Sequence, residues 1–270
     1  MSADKRADKH LEVIGPAELY ERDKVPSMFL PLALFFLEHL PIAQGAAVLD
    51  VACGTGIVAR LISEHIGNKG SVVGVDISPD MITVAHKQTP PGAPLTWHIG
   101  NVTTMPFLAD NTFDWVVCQQ GFQFFQDKPA ALREMYRVLK PGGRLAMIIW
   151  RSVSEESQPY QWAKVEALKK HVSVDAGENQ RSLVPFYDGS EDDLQMLLSK
   201  AGFNAINIHN GFFEMRRGTP EEFITEEDYA RLEPLIRTAV VSDIREAMQP
   251  FQTKGGTLVP YGFHIAQGNK

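Results

Sequence analysis

The segment Val48-Leu-Asp-Val-Ala-Cys-Gly-Thr-Gly-Ile-Val-Ala-Arg60 constrains the fold more than any other part of the chain. Val48, Leu49 and Val51 suit a strand buried on both faces, and Ile57 to Ile62 resumes helical spacing. Between them Gly54 and Gly56 let the backbone turn sharply with no side chain in a ligand's way. A strand that runs through a glycine turn into a helix is the opening unit of a parallel α/β sheet that cradles a nucleotide-like ligand.

The rest of the first half agrees with that start. From residue 46 to 150 strand and helix signals alternate, as they do in a parallel sheet covered on both faces. Strands are expected at Ala46 to Val51, Ser71 to Asp76, Leu95 to Ile99, Phe113 to Cys118 and Gly143 to Trp150. Helices are expected at Gly56 to His65, Pro79 to Lys87 and Pro129 to Leu139, the last stopped by Pro141-Gly142-Gly143. Beyond Trp150 the pattern predicts helices at Tyr160 to His171 and Asp192 to Ala201, with a polar loop at Asp175 to Gln180 between them. A strand at Phe203 to Asn210, a separate helical stretch at Glu221 to Phe251 and a final strand near Thr257 to Ala266 complete the chain.

Composition narrows the class of partner. At 270 residues, 44% hydrophobic and 22% charged, the chain can bury one full α/β core. A net charge of −7 argues against nucleic acid, because binding phosphates calls for clustered Lys and Arg, so a small molecule is expected. Met1 to His10 is charged throughout and lacks an apolar signal core. The longest apolar run, Met28 to Leu37 interrupted by Pro31, falls far short of the ~20 residues of a spanning helix and reads as a lid or packing helix. A cytoplasmic protein without stable membrane insertion is the expectation, and no sequence feature fixes an oligomeric state. Cys53 and Cys118 make neither a disulfide framework nor a zinc site, so no metal is expected. Both read as small fillers, at the carboxyl ends of neighbouring strands where their thiols could share the cleft.

Two chemistries compete for the glycine turn. Gly54-x-Gly56-x-x-Ala59 satisfies a dinucleotide fingerprint, and Asp76 follows Gly56 by twenty positions, where a ribose-binding acid belongs. Asp50 shifts the balance, because a carboxylate beside the turn faces a pyrophosphate badly and suits a cofactor carrying an ammonium and a sulfonium.

Four segments in order resemble the class I S-adenosylmethionine (SAM) methyltransferases, most closely the branch of the ubiquinone/menaquinone-biosynthesis enzymes. They are Leu49-Asp-Val-Ala-Cys-Gly-Thr-Gly56, Val73-Gly-Val-Asp-Ile-Ser-Pro-Asp-Met81, Gly100-Asn-Val-Thr-Thr-Met-Pro-Phe107 with Asn111-Thr-Phe-Asp-Trp-Val-Val117, and Arg137-Val-Leu-Lys-Pro-Gly-Gly-Arg144. The resemblance implies a doubly wound α/β fold: a mostly parallel seven-stranded sheet, the last strand antiparallel, with helical covers. It also implies a helical lid at 1–40, a SAM-binding core at 41–150, and completion of the sheet at 151–270 with an inserted helical substrate cover at about 211–255. Asp50, Ala52, Gly54 and Gly56 would surround the methionine part of SAM, with Asp76 on the ribose hydroxyls. Ile77 and Met81 would lie against the adenine, with Asn101 and Val102 at its edge, and Tyr20 stands where relatives carry a lid tyrosine near the cofactor. Two positions depart from the family: Asn101 replaces an acid, and Ala52 replaces the first glycine.

Methyl donor and acceptor should meet along Cys118-Gln119-Gln120-Gly121-Phe122-Gln123-Phe124-Phe125, which holds no acid, base or metal ligand. Gln119 is assigned to the cofactor's amino group, and Gln120, Phe122 and Trp150 to the acceptor pocket, with at least one of the three phenylalanines expected in the core. Tyr20 and His264, the latter read as an edge-strand histidine in the alternative, are the two candidates for a base. The expected activity is SAM-dependent methylation of an O or C atom in a small hydrophobic or aromatic metabolite. A SAM-fold protein that binds cofactor without methylating and an NAD(P)-dependent oxidoreductase are the rivals.

Overall fold

A computed structural model of the protein describes residues 15–172, 189–219, 229 and 232–270. The polar loop expected at 175–180 and the first part of the helical stretch expected at 221–251 lie outside them. The chain opens with α1 (Pro16–Leu19), a π-helix (Tyr20–Phe29) and α2 (Leu30–Glu38). The alternating half follows as β1 (Ala47–Val51), α3 (Ile57–Ile66), β2 (Ser71–Asp76), α4 (Pro79–Lys87), β3 (Leu95–Ile99), β4 (Phe113–Gln119), α5 (Lys128–Val138) and β5 (Leu139–Trp150). Then come α6 (Pro159–His171), α7 (Glu191–Lys200), β6 (Asn204–Arg217), α8 (Pro234–Met248), β7 (Gln252–Thr253) and β8 (Gly256–Asn269).

The main sheet order is β3-β2-β1-β4-β5-β8-β6, with the two-residue β7 attached to β8. β1 to β5 pair in parallel, and β8 runs antiparallel to both β5 and β6. Alternate residues of the central strands therefore feed two cores. Val48 packs with Phe36, Ile62 and Ile82 on one face, and Leu49 and Val51 with Leu132, Met135 and Leu194 on the other. Helix starts follow local chemistry: Ser78 accepts from Met81 N–H, Asp127 from Ala130 N–H, and Ser190 and Asp193 form a capping box.

Three strands run longer than expected: β5 already begins at Leu139, β8 reaches Asn269, and β6 gains most. β6 continues through Gly211 to Arg217 because that glycine faces the Phe263 ring, where a Cβ would lie 2.7 Å from it. Residues 211–217 are thus strand, and with Thr257 to Gly262 they form a ribbon beyond Trp150, the last residue of β5. The π-helix was not legible at all. Pro26 lies inside it with no N–H to give, and Leu30 N–H reaches five residues back to Val25 C=O.

Arg137 explains why its segment belongs to the signature. Its guanidinium donates to the carbonyls of Met105 and Leu108 and to Glu134 and Asp110, while Glu134 accepts from Met105 N–H. One α5 side chain thereby fixes the loop after β3. Among the described residues no helix is long and apolar enough to cross a membrane, and no group of three or more His, Cys, Asp or Glu could hold a metal ion.

Candidate functional site

A cavity of about 710 Å³ opens at the carboxyl ends of β1, β2 and β4, where open α/β sheets bind ligands. Of the residues expected at the site, Tyr20, Ala52, Gly54, Asp76, Ile77, Met81, Asn101, Val102, Gln119, Gln120 and Trp150 line it. The wall includes no lysine, arginine or glutamate among the described residues, and Asp76 is its one charged side chain.

Asp76 is built into the turn. One of its oxygens accepts from Gly54 N–H at 2.8 Å and the other from Ser78 N–H at 2.9 Å. A carboxylate has about four acceptor positions, so two remain for a ligand diol. Gly54 adopts φ 55°, and a Cβ placed on it would meet nothing within 4 Å, so the turn borders open space. Ala52 shares the left-handed region at φ 53°, a conformation that ordinarily favours glycine. Ile77 is 69% exposed, a large apolar side chain left bare on the wall. Asn101 Oδ1 accepts from Thr103 N–H at 3.0 Å and keeps a second lone pair. These observations fit a nucleoside with an attached amino acid.

Four expected site residues are not on the wall. Asp50 is buried, accepts from Ala59 N–H at 3.1 Å, and so pins the first turn of α3 to β1. Burial, opposed by that hydrogen bond and reinforced by the charge of Asp76, pushes its carboxyl up to about 8. Gly56, at φ 87°, is required by Trp97, whose ring would lie 2.3 Å from a Cβ there. Phe122 is fully buried in the core, edge-on to Phe125 with ring centroids 5.9 Å apart, leaving Phe124 and Phe125 to face the cavity. His264 lies on β8, which is internal to the sheet rather than an edge, between Ile149 of β5 and Asn210 of β6. Its Nδ1 contacts Asn210 Oδ1 at 2.5 Å, and the Asn210 amide nitrogen donates to Glu191. Burial and the nearby Arg151 charge lower its pKa, and its geometry is that of a satisfied structural histidine.

The thiols do not share the cleft either. Cys53 and Cys118 are buried in the separate cores on opposite faces of the sheet. Burial pushes Cys53 well up and Cys118 up to about 12, so both stay protonated.

Tyr20 does reach the cavity, stacked on Phe29 with centroids 5.0 Å apart. Burial raises its pKa far above the ordinary phenol value, and the charges of Asp76 and Glu21 add to the shift. A phenol held so firmly protonated donates a hydrogen bond and makes a poor base. The lid that carries it is anchored by Arg60, which donates to Glu21 at 2.7 Å and to Thr55 C=O.

The opposite wall comes from dispersed segments: Met28 and Phe29 of the π-helix, Gln123 to Gln126 after β4, Gln161 of α6 and Tyr261 of β8. Gln161 and Tyr261 were missed because no local pattern marks them; only the β5–β8 register brings Tyr261 beside Trp150, with ring centroids 5.3 Å apart.

A methyltransferase domain family (Methyltransf_11) matches residues 49–147. The ubiquinone/menaquinone biosynthesis C-methyltransferase UbiE of Haemophilus ducreyi is 33% identical over 196 residues, covering 68% of this chain and 75% of that one. The 2-phytyl-1,4-naphtoquinone methyltransferase of Thermosynechococcus vestitus is 37% identical over 112 residues, 42% of this chain and 49% of that one. In structure, the YcgJ protein from Bacillus subtilis superposes with a TM-score of 0.59 at 20% identity, covering 89% of this chain and 97% of that one. The [4+2]-cyclase SpnF shares the fold too, with a TM-score of 0.55 at 19% identity, covering 89% of this chain and 81% of that one.

Proposed function

The chain belongs to the class I SAM-dependent methyltransferases of the ubiquinone/menaquinone C-methyltransferase type, and from that premise we propose that its cavity methylates a carbon of a neutral, hydrophobic aromatic acceptor. The observation that carries the proposal is the division of the wall. One end offers a glycine turn and a ribose-ready carboxylate, and the other offers aromatic rings and amides with no cation.

SAM supplies an electrophilic methyl group on a sulfonium. Asp76 takes the ribose hydroxyls through its unused acceptor positions, and Ile77, Met81 and Val102 give the adenine apolar faces. Asn101 meets the adenine edge as a neutral acceptor, and the open turn at Ala52 and Gly54 admits the methionine part. Gln119 gives its Nε2 to Phe29 C=O at 3.1 Å, which leaves Oε1 to accept from the cofactor's ammonium. Tyr20 donates from the lid.

At the other end Phe124, Phe125, Trp150 and Tyr261 hold the acceptor against the cofactor and keep water out. No wall residue among those described is placed as a base toward the acceptor, because Tyr20 is held protonated and Asp76 is engaged at the cofactor end. The protein therefore acts by proximity, orientation and desolvation, which can supply up to ~7–11 kcal/mol in favourable cases.

Isothermal titration with SAM, S-adenosylhomocysteine and NAD(P) tests the cofactor. The first two should bind, and Asp76→Ala should weaken them by about 100-fold, or ~3 kcal/mol, as expected for a lost charged partner. Incubation with SAM and 1,4-dihydroxynaphthalene should yield S-adenosylhomocysteine and a ring-methylated product by mass spectrometry and NMR. An O-methyl product would reassign the acceptor atom, while binding of NAD(P) alone, or product without S-adenosylhomocysteine, would overturn the reading.

A further inference from the structure

Three glutamines at the acceptor end each keep one amide atom buried without a hydrogen-bond partner: Nε2 of Gln120 and Oε1 of Gln123 and of Gln161. Unpaired buried polar atoms are rare because they cost folding free energy, so three side chains that carry them at one end of a cavity mark groups held for something other than protein.

Backbone chemistry fixes the polarity of two of them. Trp150 N–H can only donate, so it obliges Gln120 to present Oε1, at 3.3 Å. Gln123 must then offer Nε2 to that same oxygen, at 2.9 Å. What remains is a donor on Gln120 beside an acceptor on Gln123, and Gln161 of α6 adds a third amide, its oxygen unpaired, that can present either end. These atoms are closed off from solvent, and the soft terminal amide torsion of glutamine lets each amide rotate to meet a ligand, trading its present contacts for new ones. Gln120 itself is kept at φ 56°, a conformation costly for a side-chain-bearing residue and common at functional sites.

A hydroxyl is the small group that both accepts from Nε2 and donates to Oε1. A carboxylate or phosphate would meet amide oxygens and find no cation, since Asp76, the wall's one charge, stands on β2, two strands from β4. We propose that Gln120, Gln123 and Gln161 form an amide cradle that selects a neutral, hydroxyl-bearing acceptor and rejects anionic ones. The cradle rests on the methyltransferase reading, which assigns this end of the cavity to the acceptor.

The test is titration of the full chain, saturated with S-adenosylhomocysteine, with 1-naphthol, 1-methoxynaphthalene and 1-naphthoate. 1-Naphthol should bind about tenfold more tightly than either of the others. That advantage should shrink to about threefold or less in Gln123→Leu and, independently, in Gln161→Leu. S-adenosylhomocysteine affinity and melting temperature report whether each variant is folded, and the second variant decides if the first is not. Equal affinities for the three probes, binding of none, or an advantage unchanged in the folded variants would overturn the cradle and leave ordered water as the partner of the amides. Failure of S-adenosylhomocysteine itself to bind would instead strike the methyltransferase reading.

Discussion

The end of the cavity proposed for the cofactor is built around two short runs, Ala52 with Gly54 and Asp76 to Ser78, which Tyr20, Asn101 and Gln119 complete, whereas the acceptor end gathers Gln120 after β4, Trp150 of β5, Gln161 of α6 and Tyr261 of β8. The first works mainly through backbone conformation, with Asp76 clamped between two N–H groups. The second works through side chains from distant segments, with amides left unpaired. A backbone-built wall leaves a contiguous signature in sequence, because each turn residue answers to its own φ and its own hydrogen bond. A side-chain-built wall leaves none, because any segment reaching that place can contribute.

The comparison breaks most readily at Gly56. Gly56→Ala drives a Cβ into Trp97 at a positive φ, so it should cost roughly 3 kcal/mol of stability and lower SAM affinity with it. Chemical denaturation and titration of the same sample check both, and a stable variant that binds SAM normally would show that the turn tolerates side chains.

Asp50 gives a smaller, pH-dependent effect. Its carboxyl is raised to about 8 in the fold, chiefly by burial, against an ordinary value of about 4 when unfolded. Between those values the native state keeps a proton that the unfolded state has lost. This residue's contribution to stability therefore falls as pH rises from about 4 to about 8 and is level outside that window. Asp50→Asn keeps an oxygen for Ala59 N–H and removes the dependence, so its advantage over the wild type should grow by about 2–3 kcal/mol between pH 5 and pH 7. Parallel melting curves across that range would mean the carboxyl is already ionised in the fold.

The smallest effect sharpens the boundary between the two ends. Tyr20→Phe preserves the stack on Phe29 and removes only the hydroxyl, so SAM affinity should fall by less than about tenfold, worth roughly 1 kcal/mol, with the pH profile of kcat unchanged. A drop in kcat of about 100-fold or more with loss of the basic limb would restore Tyr20 as the base.

Much of the fold was legible because period and punctuation are local. The expected β1 to β4 and α4 lie within a residue of their observed bounds. Local rules misled where a residue served a neighbour instead of its own segment. Gly211 looks like a strand end but makes room for Phe263, and Asp50 looks like a ligand group but holds α3. His264 looks like a base but is satisfied by Asn210.

The sequence by itself determined the parallel sheet and the glycine turn, and its four ordered segments pointed to the cofactor class, since strand burial, positive φ and a capped helix start are each written in a few adjacent residues. Tertiary structure alone decided which glutamines and aromatic rings share the acceptor end. Their meeting depends on β8 lying between β5 and β6 and on the π-helix lying over β4, contacts between residues as far apart as Phe29 and Gln119 or Trp150 and Tyr261.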